Sequence, residues 1–215
     1  MSAPDACHIC GGDGWVVTNG GAKPCRCQLA KRVARELPER YRGATLTNFA
    51  AAVRRPVAVW IQNPTDGLLL SGPAGTGKTH LAAAIVSGAI LKGQRAIFRR
   101  CADLYGAVRE TFRTNASEAS VLREYFEAPL LILDDLGSGS LSDHERRCTL
   151  EVLDRRLNGC LPTVVTTNWT LDEIAAKIDD RIASRLASFV HLELAGRDRR
   201  LTIAASRSTH AEAAS

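Results

Sequence analysis

The stretch Gly67-Leu68-Leu69-Leu70-Ser71-Gly72-Pro73-Ala74-Gly75-Thr76-Gly77-Lys78-Thr79 decides the fold. It reads as a short apolar strand, then a glycine-rich loop, then the start of a helix. Residues 72–79 fit G-x-x-x-x-G-K-[ST], and the strand before and helix after are the context that gives the motif chemical meaning. Glycines let backbone N–H groups wrap a phosphate chain without Cβ clashes. The helix N-terminus adds partial positive charge. Lys78 is placed to meet the β- and γ-phosphates, and the Thr79 hydroxyl to ligate Mg²⁺. ATP and Mg²⁺ are therefore the expected ligands, with Gly72, Pro73, Ala74, Gly75, Thr76, Gly77, Lys78, Thr79 and His80 as the binding stretch.

Downstream of the loop, strand-like and helix-like segments alternate. Residues 78–92 place Leu81, Ile85, Val86, Ala89 and Ile90 on one helical face, and Gly93 ends the helix. Strands are expected at 95–99, 130–133, 163–167 and 189–194. Helices are expected at 102–112, with Leu104, Val108 and Phe112 in line, at 142–158 with Ser142 or Asp143 as N-cap, at 171–178 and at 180–187. A β-α alternation implies an α/β fold with a parallel sheet and helices on both faces. In such a sheet, ligands sit at the C-terminal ends of the strands.

Two of those ends carry polar chemistry. Leu131-Ile132-Leu133-Asp134-Asp135 brings two carboxylates to the end of a buried strand. Asp134 is expected to hold the Mg²⁺ shell and Asp135 to polarise the attacking water, because adjacent strand residues point to opposite sides. Thr166-Thr167-Asn168 closes another apolar strand. Asn168 either contacts the γ-phosphate or lytic water, or caps the helix that starts at Leu171. Arg181 and Arg185 lie at i and i+4 on a short helix. They form either a solvated basic face or, in the sharper reading, a site where Arg185 reaches the γ-phosphate of a neighbouring subunit.

The chain has 215 residues, 45% hydrophobic and 24% charged, with net charge +5. That balance suits a globular protein and excludes a disordered chain. No apolar run approaches the ~18–20 residues of a membrane span, and no basic-then-apolar leader opens the sequence, so a cytoplasmic location is expected. The basic excess permits contact with a polyanion. Composition divides the chain into residues 1–30, rich in Cys and Gly; a basic linker and adenine-side segment at 31–55; a nucleotide-binding core at 56–200; and a flexible tail at 201–215.

Seven cysteines in a chain of this kind argue against a disulfide framework. Cys7-x-x-Cys10 and Cys25-x-Cys27, fourteen residues apart, can present four thiolates to one tetrahedral Zn²⁺. Gly11 and Gly12 suit the turn of a zinc knuckle, and His8 could replace one thiol. A redox pair and a metal-free cluster are the other readings of the same spacing. Cys101, Cys148 and Cys160 are expected as small buried residues.

Taken in order, residues 72–81, 130–137, 166–168 and 180–186 resemble the DnaC/DnaI helicase-loader branch of the AAA+ ATPases, which also holds the IstB transposition helper. The resemblance covers about residues 40–200. It implies an ATPase that binds a replicative DNA helicase and single-stranded DNA, with Asn168 as sensor 1 and Arg185 as an arginine finger acting between subunits of a homo-oligomer. Arg181 is a second candidate for the finger. It also implies that residues 46–49 pack near the adenine and that residues 98–104 border the DNA path. The alternative within the branch is a transposition helper acting on duplex DNA with a transposase. About thirty residues follow Arg185, which implies a truncated or absent helical lid and leaves Arg197, Arg199 or Arg200 as the only substitutes for a sensor-2 arginine.

Overall fold

A computed structural model describes residues 7–196. The proposed tail at 201–215 and Arg197, Arg199 and Arg200 lie outside the described residues, as does any lid beyond Gly196.

The chain opens with a hairpin, β1 (Trp15–Thr18) and β2 (Gly21–Pro24), followed by α1 (Arg26–Glu36). Two 3₁₀ turns, Glu39–Tyr41 and Leu46–Asn48, lead to α2 (Ala51–Gln62). Then come β3 (Leu68–Ser71), α3 (Lys78–Leu91), β4 (Ile97–Arg100), α4 (Cys101–Thr114) and α5 (Glu118–Glu127). The last part holds β5 (Leu131–Leu136), α6 (Asp143–Asn158), β6 (Thr163–Thr167), α7 (Leu171–Lys177), α8 (Asp180–Leu186) and β7 (Val190–Glu193). Every strand and helix expected from residue 67 onward is present. The elements not foreseen are the hairpin, α1, α2 and α5.

The main sheet has five parallel strands in the order β4-β5-β6-β3-β7. Side chains alternate between its faces. Leu68, Leu70, Ile132 and Val164 pack with the buried residues of α1, α2 and α3. Leu69, Leu131, Leu133 and Val165 pack with those of α4 to α8. Both faces are covered, which explains why these strands read as continuous apolar runs. α3 is wrapped almost completely: Leu81, Ala82, Ala83, Ile85 and Val86 are all buried, so it is a central helix rather than an amphipathic surface one. Among the described residues, no helix is long and apolar enough to cross a membrane.

The stretch expected to be a linker belongs to the core. α1 runs straight across the 30/31 boundary, and Val33, Leu37, Ala44 and Phe49 are buried against α3 and the sheet. At the end of α1, Glu36 Oε1 accepts hydrogen bonds from the Phe98 backbone N–H (2.7 Å) and from Arg99 Nη1 (2.6 Å). β4 is an edge strand, and its next outward amide, Arg100 N, donates to Asp103 Oδ2 at 3.3 Å.

Two further expectations are corrected. Phe112 is 67% exposed, lying against the His144 ring while its neighbour Thr111 takes the buried position of that turn, whereas Leu104 and Val108 are buried as expected. Cys160 is exposed at φ 49° in the turn after α6, while Cys101 and Cys148 are buried.

Arg156 is fully buried without an acidic partner. Its guanidinium donates to Thr163 Oγ1, Tyr125 O and Ala128 O (each 2.8 Å) and to Pro162 O (2.7 Å). Burial lowers its pKa to about 10, so it remains charged at neutral pH. These bonds satisfy the carbonyls at the end of α5 and the approach to β6. Substituting Arg156→Met leaves several buried acceptors without donors, at about 1 kcal/mol or more each. We expect a loss of roughly 3 kcal/mol, read as a lower urea midpoint with an unchanged slope, and partial recovery in Arg156→Lys.

Candidate nucleotide site

The loop after β3 turns on glycines at φ 131° (Gly72), 78° (Gly75) and 102° (Gly77). At Gly72 the requirement is also steric: a Cβ there would lie 2.2 Å from Leu194 O. Lys78 is buried, and its Nζ donates to Gly72 O and Pro73 O, both at 2.7 Å. Thr76 Oγ1 donates to Pro73 O at 2.9 Å. The loop is thus braced from within by its own polar side chains.

Opposite it stands the end of β5. Asp134 is 3% exposed. Thr166 on β6 donates its hydroxyl to Asp134 Oδ1 (2.7 Å) and accepts the Asp135 backbone N–H (2.8 Å). One hydroxyl therefore orients both acids. Burial raises the Asp134 pKa above the ordinary carboxylate range, and the negative charge of Asp135 adds to this; the Thr166 and Thr79 hydroxyls and Lys78 oppose it. Asp135 departs from simple strand alternation. It has φ 64° and sits where the pairing of β5 with β6 shifts between Leu133 and Leu136. That irregularity re-aims the side chain at the strand's end.

A cleft of about 880 Å³ joins these groups. Ala74, Gly75, Gly77, Lys78, Thr79, His80, Asp134, Asp135, Thr166 and Asn168 all line it. The helix-cap alternative for Asn168 is overturned, because Thr170 caps α7: its hydroxyl accepts Glu173 N at 3.2 Å, and Glu173 accepts Thr170 N at 3.0 Å. Asn168 is exposed at the cleft.

The far end of the cleft is aromatic. The His80 ring lies 6.2 Å from Tyr41 and 5.7 Å from Phe49, and its Nε2 is 3.4 Å from Asn48 Oδ1. The segment at 46–49 is therefore close to the cleft. Sequence reasoning missed Pro38, Arg40 and Tyr41, which also line it. The Arg40 guanidinium sits 4.7 Å over the Tyr41 ring. No motif marks that irregular 3₁₀ stretch.

Neither Arg181 nor Arg185 lines the cleft of its own chain. Asp179, the N-cap of α8, accepts Arg181 Nη2 at 2.8 Å, and that bond draws the Asp179 pKa down to about 2. Arg185 Nε donates to Asp154 Oδ1 of α6 at 2.6 Å. Arg99 and Arg100 are likewise paired, with Glu36 and Glu124 and with Asp103 respectively.

The four N-terminal cysteines converge. Cys7 and Cys25 sulfurs are 3.9 Å apart, those of Cys10 and Cys27 3.5 Å, and all four lie within 4.8 Å of one another. A disulfide needs ~2.05 Å, whereas thiolates around zinc at ~2.3 Å stand about 3.8 Å apart. The donor set therefore fits Zn²⁺, with Gly14 N donating to Cys10 Sγ at 3.2 Å as an outer support. Backbone N–H groups of Ile9 and Cys10 lower the Cys7 thiol to about 6, favouring the thiolate.

A parallel sheet with a glycine loop at the end of one strand and a buried acid at the end of the next strand but one defines a P-loop nucleotide-binding protein of AAA+ type. The chain belongs to the family of IstB-like ATP-binding proteins, whose model matches residues 55–201. It is 33% identical over 119 residues to the replicative helicase loader DnaC of Escherichia coli (strain K12), covering 55% of this chain. The chain spans about half the length of that relative (49%). It is also similar to the crystal structure of the DnaC helicase loader (TM-score 0.66, 26% identity, 74% of this chain and 100% of the other). The crystal structure of DnaI shares the fold (TM-score 0.63, 23% identity, 76% and 94%).

Zinc held by these four cysteines would supply folding energy to a segment too small to bury a core. The second half of α1, by contrast, is held by Val33 and Leu37 against the core. Stripping zinc with a chelator is expected to expose the amides of β1, β2 and the first turn of α1 to hydrogen exchange. β3, α3 and the end of α1 stay protected. Loss of protection throughout the sheet would contradict this.

Proposed function

We propose that the chain is an ATP-hydrolysing helicase loader that engages a replicative DNA helicase and single-stranded DNA. The observation that carries this reading is the convergence of Lys78, Thr79, Asp134, Asp135 and Asn168 on one cleft. The family match and the similarity to DnaC loaders supply the partner class.

In this reading the amides of residues 72–79 and the Lys78 ammonium take the β- and γ-phosphates. Thr79 and Asp134 would hold Mg²⁺, which when bound neutralises charge developing on the transferred phosphoryl group. Asp135 orients the attacking water and Asn168 contacts the γ-phosphate. Tyr41, His80 and Phe49 border the base. Arg185 leaves Asp154 and reaches the nucleotide of the next subunit. The four cysteines hold Zn²⁺ at the N-terminal hairpin. A trans arginine accounts for a finger that does not line its own cleft, and such a residue contributes ~10³–10⁵ in rate.

Two measurements test this. Lys78→Ala and Arg185→Ala proteins, each inactive alone, should regain ATP turnover when mixed, because some interfaces then pair an intact cleft with an intact arginine. No recovery at any mixing ratio counts against the trans arrangement. Separately, affinity for single-stranded DNA should exceed that for duplex and fall steeply with salt. A preference for duplex would favour the transposition-helper reading instead.

A further inference from the structure

A second cluster of metal-ligand side chains lies away from both the nucleotide cleft and the cysteine knuckle. Glu118 opens α5, and His144 and Cys148 stand one turn apart on α6. His144 Nε2 is 2.8 Å from Glu118 Oε2. Cys148 Sγ is 3.6 Å from His144 Nε2 and 3.7 Å from Glu118 Oε1. One ligand atom from each residue falls within a sphere of mutual distances no greater than 4.8 Å.

We propose that Glu118, His144 and Cys148 form a second divalent-metal site of the zinc class, distinct from the four-cysteine site. Tetrahedral zinc with sulfur at ~2.3 Å and nitrogen or oxygen at ~2.0–2.2 Å sets sulfur about 3.5–3.7 Å from the other ligands and nitrogen about 3.3–3.6 Å from oxygen; both sulfur distances match, and the 2.8 Å hydrogen bond between His144 Nε2 and Glu118 Oε2 would have to widen as both turn onto the ion. Two ligands at i and i+4 share a helix face, so α6 presents a ready bidentate arm and α5 closes it. A thiolate, a carboxylate and a neutral imidazole balance a doubly charged ion. This mixed donor set suits zinc better than the all-oxygen ions calcium and magnesium. Sulfur forms the buried floor of the site, with Cys148 2% exposed. The side chains of His144 and Glu118 are 28% and 33% exposed and form a rim, leaving the fourth position to water.

Binding releases the Cys148 thiol proton to solvent, the proton shared by His144 Nε2 and Glu118 leaves Nε2 while one from solvent takes its place on Nδ1, and the ion loses the waters it exchanges. The imidazole proton then resides on Nδ1, so the exposed Arg147 guanidinium, now 3.2 Å from that atom, turns away. Phe112 packs edge-on against the His144 ring at 5.1 Å and limits its rotation. The bound ion staples the first turn of α5 to the first two turns of α6.

The test is metal content of the full chain after zinc loading and gel filtration. Wild type should retain two equivalents of zinc. Cys148→Ser, His144→Ala and Glu118→Gln should each retain one, with unchanged circular dichroism. The double variant Cys7→Ser, Cys10→Ser should also retain one, and combining it with His144→Ala should leave none. Cobalt loading gives an independent readout, since Cys148→Ser should remove one thiolate charge-transfer contribution while the four-cysteine spectrum persists. If Cys148→Ser does not fold, the partly exposed Glu118→Gln and His144→Ala carry the result. One equivalent in wild type, two in His144→Ala and Glu118→Gln, or a second equivalent that gel filtration strips away would each overturn the site.

Discussion

Strand β6 runs between β3 and β5, parallel to both, and the nucleotide site depends on that placement. The loop of residues 72–79 and the acids at 134 and 135 grow from strands that are not neighbours. β6 fills the gap and delivers Thr166 into it, where one hydroxyl bonds Asp134 and the Asp135 amide together. Without that bridge, a buried carboxylate would face the loop with only Thr79 and Lys78 to counter its desolvation. The same strand carries Asn168 one residue past its end. Sheet order thus makes a site from four separate stretches of sequence.

Much of this was legible in the chain itself. The glycine-lysine loop, the paired acids and the Thr-Thr-Asn strand end are local patterns whose chemistry restricts the residue types, and each lies where its pattern indicates. What escaped was determined by tertiary contact. Arg40 and Tyr41 reach the cleft through a 3₁₀ turn with no periodicity to mark it. α1 looked like a basic linker because its core face is carried only by Leu29, Val33 and Leu37, among several arginines. Asp135 was expected to follow strand alternation, but a register shift redirects it. Asn168 had a competing role as a helix cap that only the position of Thr170 resolves.

Arginines recur as connectors in this protein, and their settings differ. Arg156 is enclosed and binds carbonyls, so its work is structural and indifferent to salt. Arg185 and Arg99 sit half-exposed against carboxylates. Such pairs are worth little in isolation and exchange partners readily. The interior arginine fixes architecture, while those at the surface are positioned for anions to compete for them.

The treatment of the sheet's β4 edge has a consequence for self-association. Both outward amides of that strand are occupied, Phe98 N by Glu36 and Arg100 N by Asp103. A foreign strand arriving there meets carboxylates where it would need free donors, so the sheet cannot template its own extension at that border. That occupied border keeps crowded copies of this chain from drifting into fibrous aggregates along this side.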